Sequence, residues 1–177
     1  MKILSNGFGG FKVLKPNLHR DSRGFFYEAF NNDKFSKILK KKFSIKQINI
    51  SFSKKNVFRG FHYQAKPFSQ DKVIRVLEGE ILDIIISLDK KSKHYLQKFS
   101  IKLSAQNKKM LYIPGNFAHG FLVLSKTAMI EYLTSSKYSK KHERTLFYND
   151  PKINCKFSKR IITSNKDNYK KSLLYNK

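Results

Sequence analysis

Tryptophan is absent from the chain, and cysteine occurs once, at Cys155. A single thiol closes no internal disulfide, so burial and hydrogen bonding must hold the fold, and a reducing compartment is expected. No apolar run reaches membrane-spanning length; the most apolar stretch, around Ile84–Ile86, is strand-sized. The opening residues Met1-Lys2-Ile3-Leu4-Ser5-Asn6-Gly7 lack the apolar core of a signal peptide. Together these absences predict a cytoplasmic protein. Acidic residues are also scarce: 12 Asp+Glu stand against 37 Lys+Arg, a formal charge of +25. That balance first suggests nucleic acid. Yet arginine, which reads bases and phosphates bidentately, is confined to Arg20, Arg23, Arg59, Arg75, Arg144 and Arg160, while lysine is spread throughout. Runs such as Lys40-Lys41-Lys42 and Lys170-Lys171 read as solvated surface. Neither a nucleic-acid nor a membrane partner is expected. A positive field would still attract a ligand bearing a diphosphate.

Internal repeats, low-complexity tracts and linkers are missing too, and 177 residues suit a single domain over 1–177. What remains reads mostly as strand. Phe11–Leu14 is short, and Gly24–Phe30 follows the turn-like Asp21-Ser22-Arg23-Gly24. One helix is predicted over Asp33–Lys41, capped by Asn32 or Asp33, with Phe35, Ile38 and Leu39 on one face. The period then changes to two. In Ile45–Ser53 the side chains of Ile48, Ile50 and Phe52 share one face, and Gln47, Asn49 and Ser51 the other. Val57–Gln64, Lys72–Leu77, Ile81–Ser87, Phe99–Leu103, Leu111–Ile113, Ala118–Leu124 and Ala128–Leu133 continue the pattern, with Glu78-Gly79 as a hairpin signal. A short helix is predicted near Asn168–Leu174. Many short strands separated by turns imply an all-β sandwich or barrel.

Short neutral groups at Gln47, Asn49 and Ser51, where Lys, Glu and Thr are usual, could line a ligand-filled interior, but the pattern alone fits an ordinary amphipathic strand with a solvated face slightly better. Histidines stand at His19, His62, His94, His119 and His142, and two of them, His62 and His119, sit within strands. A lone strand histidine is commonly a satisfied core residue. His62 differs because Arg59 precedes it by three residues and Lys72 opens the next strand. Such groups would be costly in a closed core and make sense around an anionic or polarised ligand. Arg59 and His62 are separated by an odd number, so an ideal strand would point them apart; a bulge at Gly60 would bring both to one face. No His-x-His pair exists, and Gly7-Phe8-Gly9-Gly10 lacks a strand–turn–helix context, so neither a metal nor a nucleotide or redox cofactor is expected.

Ten segments in order make the resemblance specific. They are Asp21-Ser22-Arg23-Gly24-Phe25-Phe26, Gln47-Ile48-Asn49-Ile50-Ser51, Arg59-Gly60-Phe61-His62-Tyr63-Gln64, Gln70-Asp71-Lys72-Val73-Ile74-Arg75 and Gly79-Glu80-Ile81-Leu82-Asp83. They continue with Leu111-Tyr112-Ile113-Pro114, Phe117-Ala118-His119-Gly120-Phe121, Glu131-Tyr132, Tyr148-Asn149-Asp150-Pro151 and Ser164-Asn165-Lys166-Asp167. In these the chain resembles the dTDP-4-dehydrorhamnose 3,5-epimerase family. The resemblance implies a cupin-type jelly-roll β-barrel with short peripheral helices. It implies a cofactor-independent isomerase that inverts carbon 3, carbon 5 or both in a nucleotide-linked 4-keto-6-deoxy sugar, in bacterial surface polysaccharide (capsule or lipopolysaccharide) synthesis. By position, His62 is the base and Asp167 orients it; Tyr132 is the acid on the other face; Lys72 holds the enolate oxygen. Arg23, Phe25, Glu28, Gln47, Asn49 and Arg59 match contacts to nucleotide and diphosphate. His119 matches a histidine facing the sugar, and Tyr138 an aromatic at the base. The family pattern also implies a homodimer with exchanged N-terminal strands, in which Arg23 and Glu28 come from the neighbour.

The chain departs from the family at Ile48 and Ile50, where relatives often carry polar residues; at Ile84 to Asp89; and at Phe157-Ser158, which replaces Trp-Pro. The nucleotide, dTDP or GDP, and the sugar, hexose or heptose, therefore stay open at this level. So do a non-catalytic sugar-nucleotide binder and a 3,4-ketoisomerase on the same barrel.

Overall fold

A computed structural model of the chain describes residues 1–168. The period-two segments form the long strands: β5 (Gln47–Lys54), β6 (Phe58–Gln64), β7 (Lys72–Glu78), β8 (Glu80–Ser87), β9 (Lys98–Ser104), β10 (Met110–Ile113), β11 (Phe117–Val123) and β12 (Thr127–Thr134). Shorter strands are β1 (Lys2–Asn6), β2 (Lys12–Lys15), β3 (His19–Asp21), β4 (Gly24–Phe26) and β13 (Glu143–Thr145). Six strands run in the order β1-β2-β10-β7-β12-β5, and five in the order β13-β6-β11-β8-β9; β3 and β4 pair separately. The two larger sheets face each other as a cupin-type jelly roll.

Inward-facing side chains alternate along each strand and fill the space between the sheets. Phe11, Val13, Ile74, Ile81, Ile85, Leu111, Phe117, Phe121 and Ile130 are among the buried set. Each such side chain contributes roughly 1.5–3 kcal/mol by leaving water. The expected hairpin at Glu78-Gly79 does not form. β7 pairs with β10 and β12, whereas β8 pairs with β11 and β9. Gly79, at φ 78°, therefore turns the chain from one sheet into the other, which is how the jelly roll closes its core.

The helix α1 (Asn32–Leu39) forms where its periodicity predicts, but Asn31 is its cap. The Asn31 Oδ1 accepts from the backbone N–H of Asp33 and of Lys34, both at 3.1 Å. Phe35 and Leu39 bury against Leu14, Val73, Met110, Tyr112 and Leu133 on the outer face of the six-stranded sheet. The strand predicted over Gly24–Phe30 stops at Phe26, because its partner β3 is only three residues long. Except for Asn168, the helix predicted near Asn168–Leu174 lies outside the described residues. No helix among the described residues is long and apolar enough to cross a membrane.

Candidate active site

Apolar packing gives way at one end of the barrel to a cavity of about 260 Å³, lined by Asn49, Ile50, Ser51, Arg59, His62, Lys72, His119, Phe121 and Tyr132. Larger hollows of about 320 and 510 Å³ lie where residues 148–161 cover the outside of the five-stranded sheet. Their ionisable linings are lysines, Arg160, Tyr148 and Cys155, with no histidine or carboxylate to work against them. The smaller cavity holds the groups that can move protons.

Strand register explains how Arg59 and His62 both reach it. On β11, His119 lies opposite His62 and Phe121 opposite Arg59, so two steps on β11 span three on β6. The extra residue is a bulge at Gly60, which turns both side chains to one side as the odd spacing required. Gly60 has φ 134°, and a Cβ there would lie 2.5 Å from the Gly120 Cα. Only glycine fits a backbone so turned and so closely approached.

His62 Nε2 lies 2.6 Å from Asp167 Oδ1. With Nε2–H donating to the carboxylate, Nδ1 keeps its lone pair. Burial alone would raise the Asp167 carboxyl, but the His62 hydrogen bond and charge, Ser164 and the Gly60 amide outweigh it and hold the group below the usual carboxylate range. It is therefore ionised beside the imidazole. A second pair stands across the strand: His119 Nε2 is 2.8 Å from Asp83 Oδ2, both residues buried. Asp83 Oδ1 has no hydrogen-bond partner among the described residues.

Lys72 enters from the opposite sheet, its Nζ 3.5 Å from the His62 carbonyl oxygen. Burial lowers its pKa to about 8, partly offset by the Asp83 and Glu143 charges. Tyr132 also comes from that sheet; its hydroxyl lies 2.9 Å from Ser51 Oγ and its ring meets His119 edge-on at 6.3 Å. Burial pushes its phenol up to about 12; Asp83 adds to this, while Ser51 and Arg59 oppose it. Arg59 Nε donates to Ser53 Oγ at 2.9 Å, so β5 anchors both the phenol and the guanidinium.

A hydrogen-bonded chain leads outward from the cavity. Gln47 Nε2 donates to Asn49 Oδ1 at 2.7 Å, Gln47 Oε1 accepts from the Tyr138 amide at 2.8 Å, and the Tyr138 hydroxyl donates to Glu143 at 2.9 Å. Glu143 is also ion-paired with Lys166. Arg23, Phe25 and Glu28 are not brought to the cavity within the chain. Arg23 pairs with Asp21, Phe25 lies under the Lys108 ammonium, and Glu28 pairs with Lys34. Sequence reasoning placed Ser51 on a face suited to a ligand but gave it no role, and it did not single out Asp83, Phe121 or Glu143 as site groups. Asp83 had a signal: a carboxylate between Ile81 and Ile85 in an inward row needs a reason. Glu143 had none, since its position depends on β13 joining β6 far along the chain. No set of three or more His, Cys, Asp or Glu among the described residues is arranged to hold a metal ion.

The family model described as dTDP-4-dehydrorhamnose 3,5-epimerase matches residues 6–174. A dTDP-4-dehydrorhamnose 3,5-epimerase of Shigella flexneri is 38% identical over 154 residues, covering 87% of this chain and 85% of that protein. The crystal structure of the Bacillus anthracis str. Ames dTDP-4-dehydrorhamnose 3,5-epimerase with TDP and PPi bound superposes with a TM-score of 0.90 at 35% identity, covering 94% of this chain and 96% of that one. A dTDP-6-deoxy-D-glucose-3,5-epimerase from Legionella pneumophila Philadelphia 1, in complex with dTDP-4-keto-L-rhamnose, gives a TM-score of 0.86 at 34% identity, covering 92% and 87%.

Proposed function

The chain belongs to the dTDP-4-dehydrorhamnose 3,5-epimerase family and is a sugar-nucleotide epimerase, and we propose that it inverts both carbons flanking the ketone of a dTDP-linked 4-keto-6-deoxy hexose through His62, Lys72 and Tyr132. The single observation that carries this assignment of roles is the shared cavity. His62 comes from the five-stranded sheet, while Tyr132 and Lys72 come from the six-stranded one.

In the proposed reaction His62 Nδ1 removes a proton beside the ketone. With Nε2–H held by Asp167, the free lone pair on Nδ1 is the one able to accept that proton. Asp167 holds the ring and stabilises the imidazolium that forms. The electron pair of the broken C–H bond moves onto the ketone oxygen, where the Lys72 ammonium meets the charge; a donor placed this way is worth about 10²–10³ in rate. The Tyr132 O–H returns a proton to the opposite face of the carbon. Arg59, with Gln47 and Asn49 on β5, binds the diphosphate and nucleoside; His119 faces the sugar and Tyr138 the base. Every step uses groups of this chain. Because activated nucleotide sugars are cytoplasmic metabolites, the reaction is assigned there, in supply of surface polysaccharide.

The assembly we propose is a homodimer in which Arg23, Phe25 and Glu28 of the partner subunit complete the nucleotide site. Its support is the outer face of β5, an edge strand on which Ile48, Ile50 and Phe52 are 55%, 60% and 51% exposed in the single chain. Such a contiguous apolar strip is a normal interface core and an unusual monomer surface.

Incubation with dTDP-4-keto-6-deoxyglucose in D₂O, read by NMR, tests the reaction. Deuterium at carbons 3 and 5 with inversion at both is the expected result. Migration of the ketone, or exchange with GDP-linked but not dTDP-linked substrate, would contradict it.

A further inference from the structure

We propose that Ser51 is a positioning residue for Tyr132: its hydroxyl fixes the phenol and donates to the oxygen left negative when the phenol's proton goes to the sugar carbon. The proposal rests on Tyr132 being the acid.

Register brings the two together. Ser51 lies opposite Ile130 in the β5–β12 ladder and Asn49 opposite Tyr132, so Ser51 and Tyr132 are diagonal neighbours on the inward face. Their oxygens are 2.9 Å apart, and Ser51 is the only hydrogen-bond partner of that phenol among the described residues. Arg59 favours the phenolate by its charge, but its Nε and Nη2 donate to Ser53 Oγ and the Phe52 carbonyl and it makes no hydrogen bond to the phenol. Apolar packing surrounds the Tyr132 ring on the core side. A phenolate formed there without a donor would carry a large desolvation cost.

Proton accounting makes a hydroxyl the fitting group. When His62 has taken the proton from carbon, the enolate holds the electron pair. The Tyr132 proton then bonds to the opposite face of that carbon, and the electron pair of its O–H bond stays on the phenolate oxygen. Ser51 O–H donates to that oxygen with no further covalent change, and solvent later returns a proton to Tyr132 and accepts the one on His62. A serine hydroxyl serves as acceptor or donor as the phenol cycles; alanine does neither, and threonine does both.

The test measures two rates in D₂O for Ser51→Ala, Ser51→Thr and Tyr132→Phe: inversion to product, and deuterium entry into recovered substrate. With the acid weakened, the enolate returns to substrate on the His62 face, carrying deuterium without inversion. In Ser51→Ala inversion should fall roughly 10–100-fold while exchange falls less than about 3-fold, and Ser51→Thr should recover most of the inversion. A merely loosened pocket would lower both rates together, and that outcome overturns the proposal, as does wild-type inversion in Ser51→Ala. Tyr132→Phe separates the two levels. If it loses inversion while Ser51→Ala does not, Ser51 alone was misread; if it inverts normally, the acid itself was misassigned.

Discussion

Burial penalises the Lys72 ammonium, and Asp83 and Glu143 offset only part of that penalty, so its pKa sits at about 8 rather than 10.5. In the proposed reaction the charged form is the one that meets the enolate. kcat/KM should therefore decline as pH rises through about 8, and the limb should vanish in Lys72→Met. Stability runs the other way. Below about 8 the folded and unfolded chains both carry the charge, and the fold bears the desolvation cost. Between about 8 and 10.5 only the unfolded chain keeps its proton, so stability rises with pH by roughly 3 kcal/mol, a rise that Lys72→Met should lack. Denaturant titrations across that range check it. In the proposed mechanism Asp167 holds the His62 tautomer, so Asp167→Asn should cut turnover roughly 10²–10⁴-fold with little change in KM. Steady-state kinetics of that variant decide between this role and a surface carboxylate. Among these residues, His62 and Lys72 were legible as costly groups on apolar strands. Asp167 was legible only through its family position, because 105 residues separate it from His62 and no local pattern reports so distant a contact.

At the scale of the element, β6 and β5 carry the argument. The odd spacing of Arg59 and His62 demanded a bulge, and the structure supplies it at Gly60. Gly60→Ala meets both a φ of 134° and the Gly120 backbone, so it should cost roughly 2–4 kcal/mol and uncouple the pair, seen as a lower Tm with lost exchange. In β5 the two faces divide labour. Ser51 and Ser53 anchor the phenol and the guanidinium from inside, while Ile48, Ile50 and Phe52 point outward. Alternation in the sequence revealed both faces; it did not tell which would be covered, since covering is a property of assembly. Ile50→Lys should shift the protein from dimer to monomer in sedimentation, and a wild-type protein that is monomeric at micromolar concentration would contradict the assembly. The Glu78-Gly79 turn misled for a related reason. A tight turn between two strands looks the same in sequence whether the strands pair or part into facing sheets.

For the whole molecule, charge and architecture have separate consequences. Among the described residues seven acidic side chains are engaged in ion pairs or histidine pairs, and with 37 Lys+Arg against 12 Asp+Glu the chain keeps a formal excess of +25 that no acidic group of its own neutralises. A doubly charged diphosphate should be drawn towards such a body. kcat/KM should fall several-fold between about 20 and about 300 mM salt while kcat stays level. Architecture supplies the chemistry: one sheet provides the imidazole, the facing sheet the phenol and the ammonium, and the space between them is one cavity. If base and acid act from opposite sheets, they must be separable. The most direct measurement is the rate of solvent deuterium entry beside the ketone in His62→Ala and in Tyr132→Phe. The account predicts that His62→Ala loses both exchange and inversion, whereas Tyr132→Phe keeps exchange and loses inversion. Exchange lost equally in both variants, or retained in His62→Ala, would contradict it.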